Sequence, residues 1–212
     1  MRAVLASSNQ GKAQEFDRLL RPFLQIDGLP SGVSLPPETG TTFAANARLK
    51  AEAVARELEG TVGVLADDSG LQVDALGGEP GVLSARYAGQ EATDEQNVAR
   101  LLSELGDSTD RSARFVCALC MILPTSLGGG MAPMVVEVEE RSEGEITTSP
   151  RGDKGFGYDP VFRPVGWRLS LAEAEPGDKD AVSHRGAAAR ELLSRLLEIV
   201  PSLAEVGDRH GA

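Results

Sequence analysis

The stretch Val62-Gly63-Val64-Leu65-Ala66-Asp67-Asp68-Ser69-Gly70 places two carboxylates, a hydroxyl and a glycine directly after an apolar run. A short apolar run bounded by turn-forming residues is typical of a buried strand, and open α/β sheets bind ligands at the carboxyl ends of their strands. Carboxylates there supply the oxygen ligands that Mg²⁺ prefers and a base for water. From this stretch alone two interpretations stay open: a metal site at a strand end, or a polar turn, because Asp, Ser and Gly dominate turns.

Composition restricts the class of protein. The 212 residues are 41% hydrophobic and 25% charged, with a net charge of −11, which predicts a single globular domain over residues 1–200 and a frayed tail over 201–212. Lys and Arg are scattered, so we expect no nucleic acid polymer as a partner. No apolar run approaches the ~18 residues of a membrane span and no signal-peptide pattern is present, so we expect a cytoplasmic protein without a membrane partner.

The two cysteines are predicted to be core residues. Cys117 and Cys120 lie within the apolar segment 115–123, which is typical of a buried strand. Residues three apart on a strand point to opposite faces, so a shared metal is not expected. A redox pair is not expected either, because the usual position at the start of a helix is missing.

Alternating helix and strand patterns predict an α/β fold with a mixed sheet. The predicted strands cover 3–7, the run before Asp67, 114–123 and 134–139, and the segment 124–133 is predicted to be a flexible loop. A first helix is predicted after Lys12, with Phe16, Leu19 and Leu20 on one face. A second begins at a Thr41 or Thr42 cap, a third begins at a capping box at Thr93, and a fourth covers 186–199.

A second polar segment, Ser7-Ser8-Asn9-Gln10-Gly11-Lys12, lies where the first strand turns into a helix. The free N–H groups and the dipole of a helix start favour anions, so this segment suits a phosphate. It is not a Walker A loop, because the first glycine of that motif is absent and Ala13 replaces its hydroxyl residue. A capped helix start without a ligand is the alternative.

Three further segments carry candidate chemistry. Glu38 is a lone carboxylate that either is solvated surface or converges with Asp68 on Mg²⁺. The segment 152–160 surrounds Phe156 and Tyr158 with glycines, which fits either a loop that approaches a flat ligand or a plain surface loop. The segment 179–186 sets Lys, His and Arg at the start of the last helix, where they either bind an anion or are structural.

Together these segments resemble the inosine triphosphate pyrophosphatase family over residues 4–197. The motifs that carry the resemblance are Ser7 to Lys12, Glu38-Thr39-Gly40, Asn46 to Ala51, Ala66 to Leu71, Leu76 to Gly81, Ser84-Ala85-Arg86-Tyr87, Gly155 to Pro160 and Ser183-His184-Arg185. The resemblance implies hydrolysis of ITP, dITP and XTP to the nucleoside monophosphate and pyrophosphate. It also implies an elongated two-lobed α/β fold around a mixed sheet with the active site in the cleft between the lobes, a homodimer, and dependence on Mg²⁺.

The resemblance also implies roles for particular residues. Asp68 would be the general base, Glu38 and Asp68 would contact Mg²⁺, and Asp67, which faces the other way on a strand, would have a supporting part. Residues Ser7, Ser8, Asn9, Gln10, Gly11 and Lys12 would hold the triphosphate. The remaining substrate contacts would come from Ser69, Phe156, Gly157, Tyr158, Asp159, Lys179, His184 and Arg185.

Two other functions are weighed against this one. A related group of pyrophosphatases acts on dTTP or UTP, and a panel of substrates separates it from the first hypothesis. A nucleotide-binding regulatory module without turnover is the second alternative. The presence of Asp68, Glu38 and Lys12 together favours an enzyme.

Overall fold

The computed structural model describes residues 1–127 and 133–203, and these residues form six strands and five α-helices. The strands are β1 (Arg2–Leu5), β2 (Gln25–Asp27), β3 (Gly63–Val73), β4 (Ser112–Ile122), β5 (Val135–Ile146) and β6 (Phe162–Pro164). The helices are α1 (Gln10–Leu20), α2 (Phe43–Glu57), α3 (Asp94–Leu105), α4 (Pro176–Val182) and α5 (His184–Ile199). The predicted α/β class is confirmed.

The sheet is mixed, as predicted. Its strand order is β2-β1-β3-β4-β5-β6. β1 pairs in parallel with both β2 and β3, whereas β5 and β6 are antiparallel. Parallel neighbours need a crossover connection, and α1 and α2 lie in the connections that lead from β1 to β2 and from β2 to β3.

The central strand β3 continues through the two aspartates instead of ending at them. Its pairing with β1 runs to Leu65, and the N–H of Ala6 donates to the Leu65 carbonyl at 2.8 Å. Beyond this point β3 continues to Val73, so Asp67 and Asp68 lie inside an 11-residue strand. The turn interpretation and the strand-end placement are both wrong. Beyond the polar residues the strand again carries buried apolar side chains, Leu71 and Val73.

Local signals set the helix starts. Asn9 and Thr42 cap α1 and α2, and Thr93 with Gln96 forms the predicted capping box of α3. The predicted strand ends are less accurate, because β1 stops at Leu5 and β5 extends to Ile146. The helix α5 begins at His184, two residues before its predicted start.

The chain divides into two compact units. The first comprises the described residues of Met1–Asp68, Ala118–Glu139 and Ala188–Ala212, and the second comprises Ser69–Cys117 and Glu140–Ala187. Large buried side chains of the first unit include Phe16, Leu65 and Met121. The core of the second unit is a cluster that includes Leu101, Tyr158 and Phe162, with the rings of Phe115 and Phe162 4.7 Å apart. The predicted cleft between two lobes stays a prediction.

Three smaller predictions concern the cysteines and the chain's less regular segments. Cys117 and Cys120 are buried free thiols, as predicted. Two segments lie outside the described residues: 128–132 of the predicted loop, and 204–212 of the predicted tail, which includes His210. The first part of the tail, Pro201–Leu203, forms a 3-10 turn in which Leu203 is buried. Within the described residues every helix is too short or too polar to cross a bilayer.

Candidate active site

Asp68 is a buried carboxylate that receives its partners from α2. Asn46 Nδ2 donates to Asp68 Oδ2 at 3.0 Å, and Lys50 Nζ lies 3.3 Å from Asp68 Oδ1. Because residues four apart share one face of a helix, Asn46 and Lys50 both reach β3 from the buried face of α2. Asp68 is therefore fixed by one amide and one ammonium group.

Lys50 also binds Glu38, the second predicted metal ligand. Lys50 Nζ donates to Glu38 Oε1 at 2.8 Å. Asn46 Oδ1 accepts a hydrogen bond from the N–H of Gly40 at 2.7 Å, which ties the loop around Glu38 to α2. The side chains of Glu38 and Asp68 thus meet at a single cation.

Asp67 faces the other way, as predicted from strand geometry. Its fully buried carboxylate accepts a short hydrogen bond from Lys12 Nζ, on the first turn of α1. The two adjacent aspartates therefore join β3 to two different helices. Asp67 holds the lysine of the segment that is predicted to bind phosphate.

Carboxylates outnumber ammonium groups in this cluster of Lys12, Glu38, Lys50, Asp67 and Asp68. Burial raises the pKa of Asp68, and Glu38 and Asp67 raise it further, while Lys50 and the hydrogen bond from Asn46 oppose the shift. Burial lowers the pKa of Lys50, but the nearby carboxylates outweigh burial and raise it. The cluster therefore keeps Lys50 charged and favours an additional cation.

The carboxylates of Glu38 and Asp68 are suitable ligands for a magnesium ion whose remaining ligands are substrate oxygens. Among residues 1–127 and 133–203, His, Cys, Asp and Glu side chains form no group of three or more that could hold a metal. Glu38 and Asp68 nevertheless contact the same ammonium group. Mg²⁺ commonly binds through one or two protein carboxylates together with substrate phosphates, so this pair matches that arrangement.

The segment from Ser7 to Lys12 forms a capped helix start. Asn9 Oδ1 accepts the N–H of Lys12 at 3.0 Å, and Ser7 Oγ accepts the N–H of Asn9 at 3.2 Å. Ser8 and Gln10 are exposed, and Gly11 is half-buried at the start of α1. A triphosphate contact for this segment stays a prediction.

A second group of predicted site residues lies in the second unit. Asp159 is buried, and its Oδ2 accepts hydrogen bonds from Lys179 Nζ at 2.7 Å and from the N–H of Phe156 at 3.0 Å. Burial raises the pKa of Asp159, and Lys179 and Arg185 oppose that shift. Lys179 Nζ lies 5.3 Å and the Arg185 guanidinium 4.8 Å from the centre of the Phe156 ring. This half-buried ring therefore has two cations beside it.

Two further predicted site residues, Tyr158 and His184, are buried. The Tyr158 side chain lies in the core, with the residue only 4% exposed, and its hydroxyl donates to the Ser84 carbonyl at 2.9 Å. The Tyr158 ring is therefore covered by core residues, whereas the Phe156 ring is half-buried; a place around the base for either residue stays a prediction. His184 is 1% exposed and stacks on Phe115 at 4.6 Å between ring centres, and its predicted substrate contact stays a prediction.

Sequence reasoning assigned no role to Asn46 and Lys50, although both lie in a quoted motif. A signal was available: both are polar residues four apart on the helix face that carries Ala47, Ala51 and Val54. Polar side chains within an apolar stripe need buried partners, and Asp68 is that partner. Ser69, half-buried beside Asp68 on β3, and Gly157 keep their predicted substrate roles as predictions.

The fold and the acidic cluster define an α/β protein with a buried carboxylate site on its central strand. The chain belongs to the Ham1 family, whose sequence profile matches residues 3–195. The family resemblance predicted from the sequence motifs is thereby confirmed.

Relatives and solved structures agree with this membership. The dITP/XTP pyrophosphatase of Synechococcus sp. strain CC9311 is 49% identical over 202 residues, which cover 93% of this chain and 92% of the relative. That of Exiguobacterium sp. strain AT1b is 45% identical over 204 residues, or 95% of this chain and 98% of the relative. The structure of a HAM1 protein from Coxiella burnetii superposes with a TM-score of 0.79 at 40% identity, over 93% of this chain and 99% of that one.

Proposed function

We propose that this chain hydrolyses the non-standard purine nucleoside triphosphates dITP, ITP and XTP to the monophosphate and pyrophosphate. The observation that carries the proposal is the buried Asp68 carboxylate, fixed by Asn46 and Lys50 on β3. The full-length similarity to proteins named dITP/XTP pyrophosphatase supports the substrate class. Such an enzyme would remove deaminated purines from the nucleotide pool.

Asp68 is proposed as the general base. Asn46 and Lys50 fix its two oxygens, so the carboxylate is oriented before substrate binds. It would accept a proton from the water that attacks the α-phosphorus. The protein then has to supply mainly positioning and electrostatic stabilisation.

Lys12 and the start of α1 are proposed to bind the triphosphate. Asp67 holds the Lys12 ammonium beside β3, and the helix dipole adds positive potential at this end of α1. Glu38 and Asp68 would hold Mg²⁺, which when bound offsets the negative charge of the phosphates. Ser69 would add a hydroxyl next to Asp68.

The residues around Phe156 are proposed to read the purine. Lys179 and Arg185 carry hydrogen-bond donors and no acceptors, and both lie beside the Phe156 ring. A base stacked on this ring would therefore present an acceptor, such as the 6-oxo group of hypoxanthine or xanthine. The 6-amino group of adenine would face donors and leave them unpaired, at about 1–3 kcal/mol per group.

Location and assembly complete the proposal. We propose a cytoplasmic enzyme, because its substrates belong to the nucleotide pool. We also propose a homodimer, so light scattering should give twice the 22.3 kDa mass of one chain.

The substitution Asp68→Asn tests the proposed base. It keeps the shape and an oxygen acceptor for Asn46 but removes the basic group, so kcat for dITP should fall by at least ~100-fold. Calorimetry should still detect dITP binding. Glu52→Gln, an exposed carboxylate on α2, is the control and should leave kcat unchanged. Full activity of Asp68→Asn would remove Asp68 from this role.

A further inference from the structure

We infer that Asp94 is a positioning residue for the glycine-rich loop (residues 152–160), an inference that rests on the proposed function of Phe156 as a purine contact. Asp94 is the first residue of α3, and its Oδ2 accepts a hydrogen bond from the N–H of Gly157 at 2.6 Å. The two residues are 63 positions apart in sequence. The bond therefore attaches the loop to an element outside the predicted site.

One side of the loop borders open space. A cavity of about 600 Å³ lies between α3, with Asp94, Glu95 and Val98 in its wall, and the loop, with residues 152–157 and Pro160 in the opposite wall. Side chains do not fill this space, so packing cannot hold the loop tip against α3. The hydrogen bond from Gly157 to Asp94, both of which line the cavity, supplies that restraint.

The Asp94 bond acts together with Asp159. Asp159 accepts the N–H of Phe156 at 3.0 Å, and Asp94 accepts the next N–H along the chain, that of Gly157. Two carboxylates from different elements thus fix two consecutive peptide groups. These peptide groups flank the Phe156 side chain, so they set the position of its ring relative to Lys179 and Arg185.

A substitution at Glu95 distinguishes the loss of the loop contact from a general effect on the stability of α3. Both residues are acidic and lie in the first turn of α3, where either charge interacts favourably with the helix dipole. Glu95 should contribute to helix stability without contacting the N–H of Gly157. The variants Asp94→Ala and Glu95→Ala are therefore a matched pair, and Asp94→Asn restores a side-chain oxygen acceptor without the charge.

Amide hydrogen exchange and steady-state kinetics test this inference. Exchange over residues 152–158 should be roughly three- to tenfold faster in Asp94→Ala, and KM for dITP should rise by a similar factor while kcat changes less than about twofold. Glu95→Ala should match the wild type, and Asp94→Asn should restore both values. Unchanged exchange in Asp94→Ala, an equal effect of Glu95→Ala, or no recovery in Asp94→Asn would each overturn the inference.

The same experiment distinguishes this inference from the proposed function. If the wild type does not hydrolyse dITP, the proposed function fails, whereas the exchange comparison still decides whether Asp94 holds the loop. If the wild type hydrolyses dITP and Asp94→Ala has the wild-type KM and exchange, only the role of Asp94 fails.

Discussion

Lys50 is the residue on which the acidic site depends, because its ammonium group contacts both Glu38 and Asp68. The site holds its carboxylates close together only while this cation stays charged and in place. Lys50 supplies that charge from α2, inside a helix face that is otherwise apolar.

Lys50→Met should strongly destabilise the fold. Removing one partner of a buried ion pair leaves an uncompensated charge, so the free energy of unfolding should fall by about 3 kcal/mol. Arg48→Met is the control: Arg48 is exposed, and its pairs with Glu52 and Glu137 should contribute little to stability because solvent screens them. Urea unfolding measures both variants.

The loss of unfolding free energy in Lys50→Met should increase as the pH rises from acidic to neutral. Lys50 lowers the pKa of Asp68, so its loss raises that pKa further in the folded state. A carboxylate whose folded pKa is raised loses stability as pH increases above its unfolded value of about 3.9. The loss of unfolding free energy in Lys50→Met should therefore be larger near neutral pH than at about pH 4. Equal losses in Lys50→Met and Arg48→Met at all pH values would contradict the role of Lys50 as the buried partner of Asp68.

Cys120 should be unreactive in the folded protein. Burial raises the pKa of Cys120 to about 12, and Glu137 adds to the shift, so little thiolate exists at about pH 9. The thiol of a cysteine in the unfolded chain has a pKa of about 8.5, so the contribution of Cys120 to stability falls as the pH rises above that value. Iodoacetamide should label Cys120 in urea but not in the native protein. Rapid labelling of the native protein would contradict the burial.

The helices and the central strand differ in how far their sequence predicts them. The starts of α2 and α3 follow from local capping residues, Thr42 and Thr93, so the sequence predicts them well. The length of β3 does not follow from local residues. Asp67 and Asp68 stay inside the strand because Lys12, Asn46 and Lys50, distant in sequence, neutralise and bind them.

The glycine-rich loop offers a direct test of its backbone geometry. Gly152 and Gly157 both have positive φ, but a Cβ on Gly152 would lie 2.4 Å from the Ala172 backbone, whereas one on Gly157 would meet nothing within 4 Å. Gly152→Ala should therefore reduce the free energy of unfolding by roughly 1–3 kcal/mol more than Gly157→Ala. Urea unfolding of both variants checks this, and equal losses would show that Gly152 does not pack as described.

For the whole chain, motifs in sequence order identify the family more reliably than any single motif. Segments from Ser7 to Arg185 predicted the membership that the profile over residues 3–195 confirms. The same motifs did not predict which residues within each motif would be buried. Tyr158 packs in the core and donates to the carbonyl of Ser84, 74 residues away, while Phe156 stays half-exposed. Such a contact between distant segments cannot be predicted from the motif itself.

The products formed from dITP test the proposed activity most directly. Purified protein with Mg²⁺ should convert dITP to dIMP and pyrophosphate in equal amounts, and should act on dATP much more slowly, which ion-exchange chromatography of the products can quantify. Release of orthophosphate from dITP, or hydrolysis of dATP as fast as dITP, would contradict the proposed pyrophosphatase.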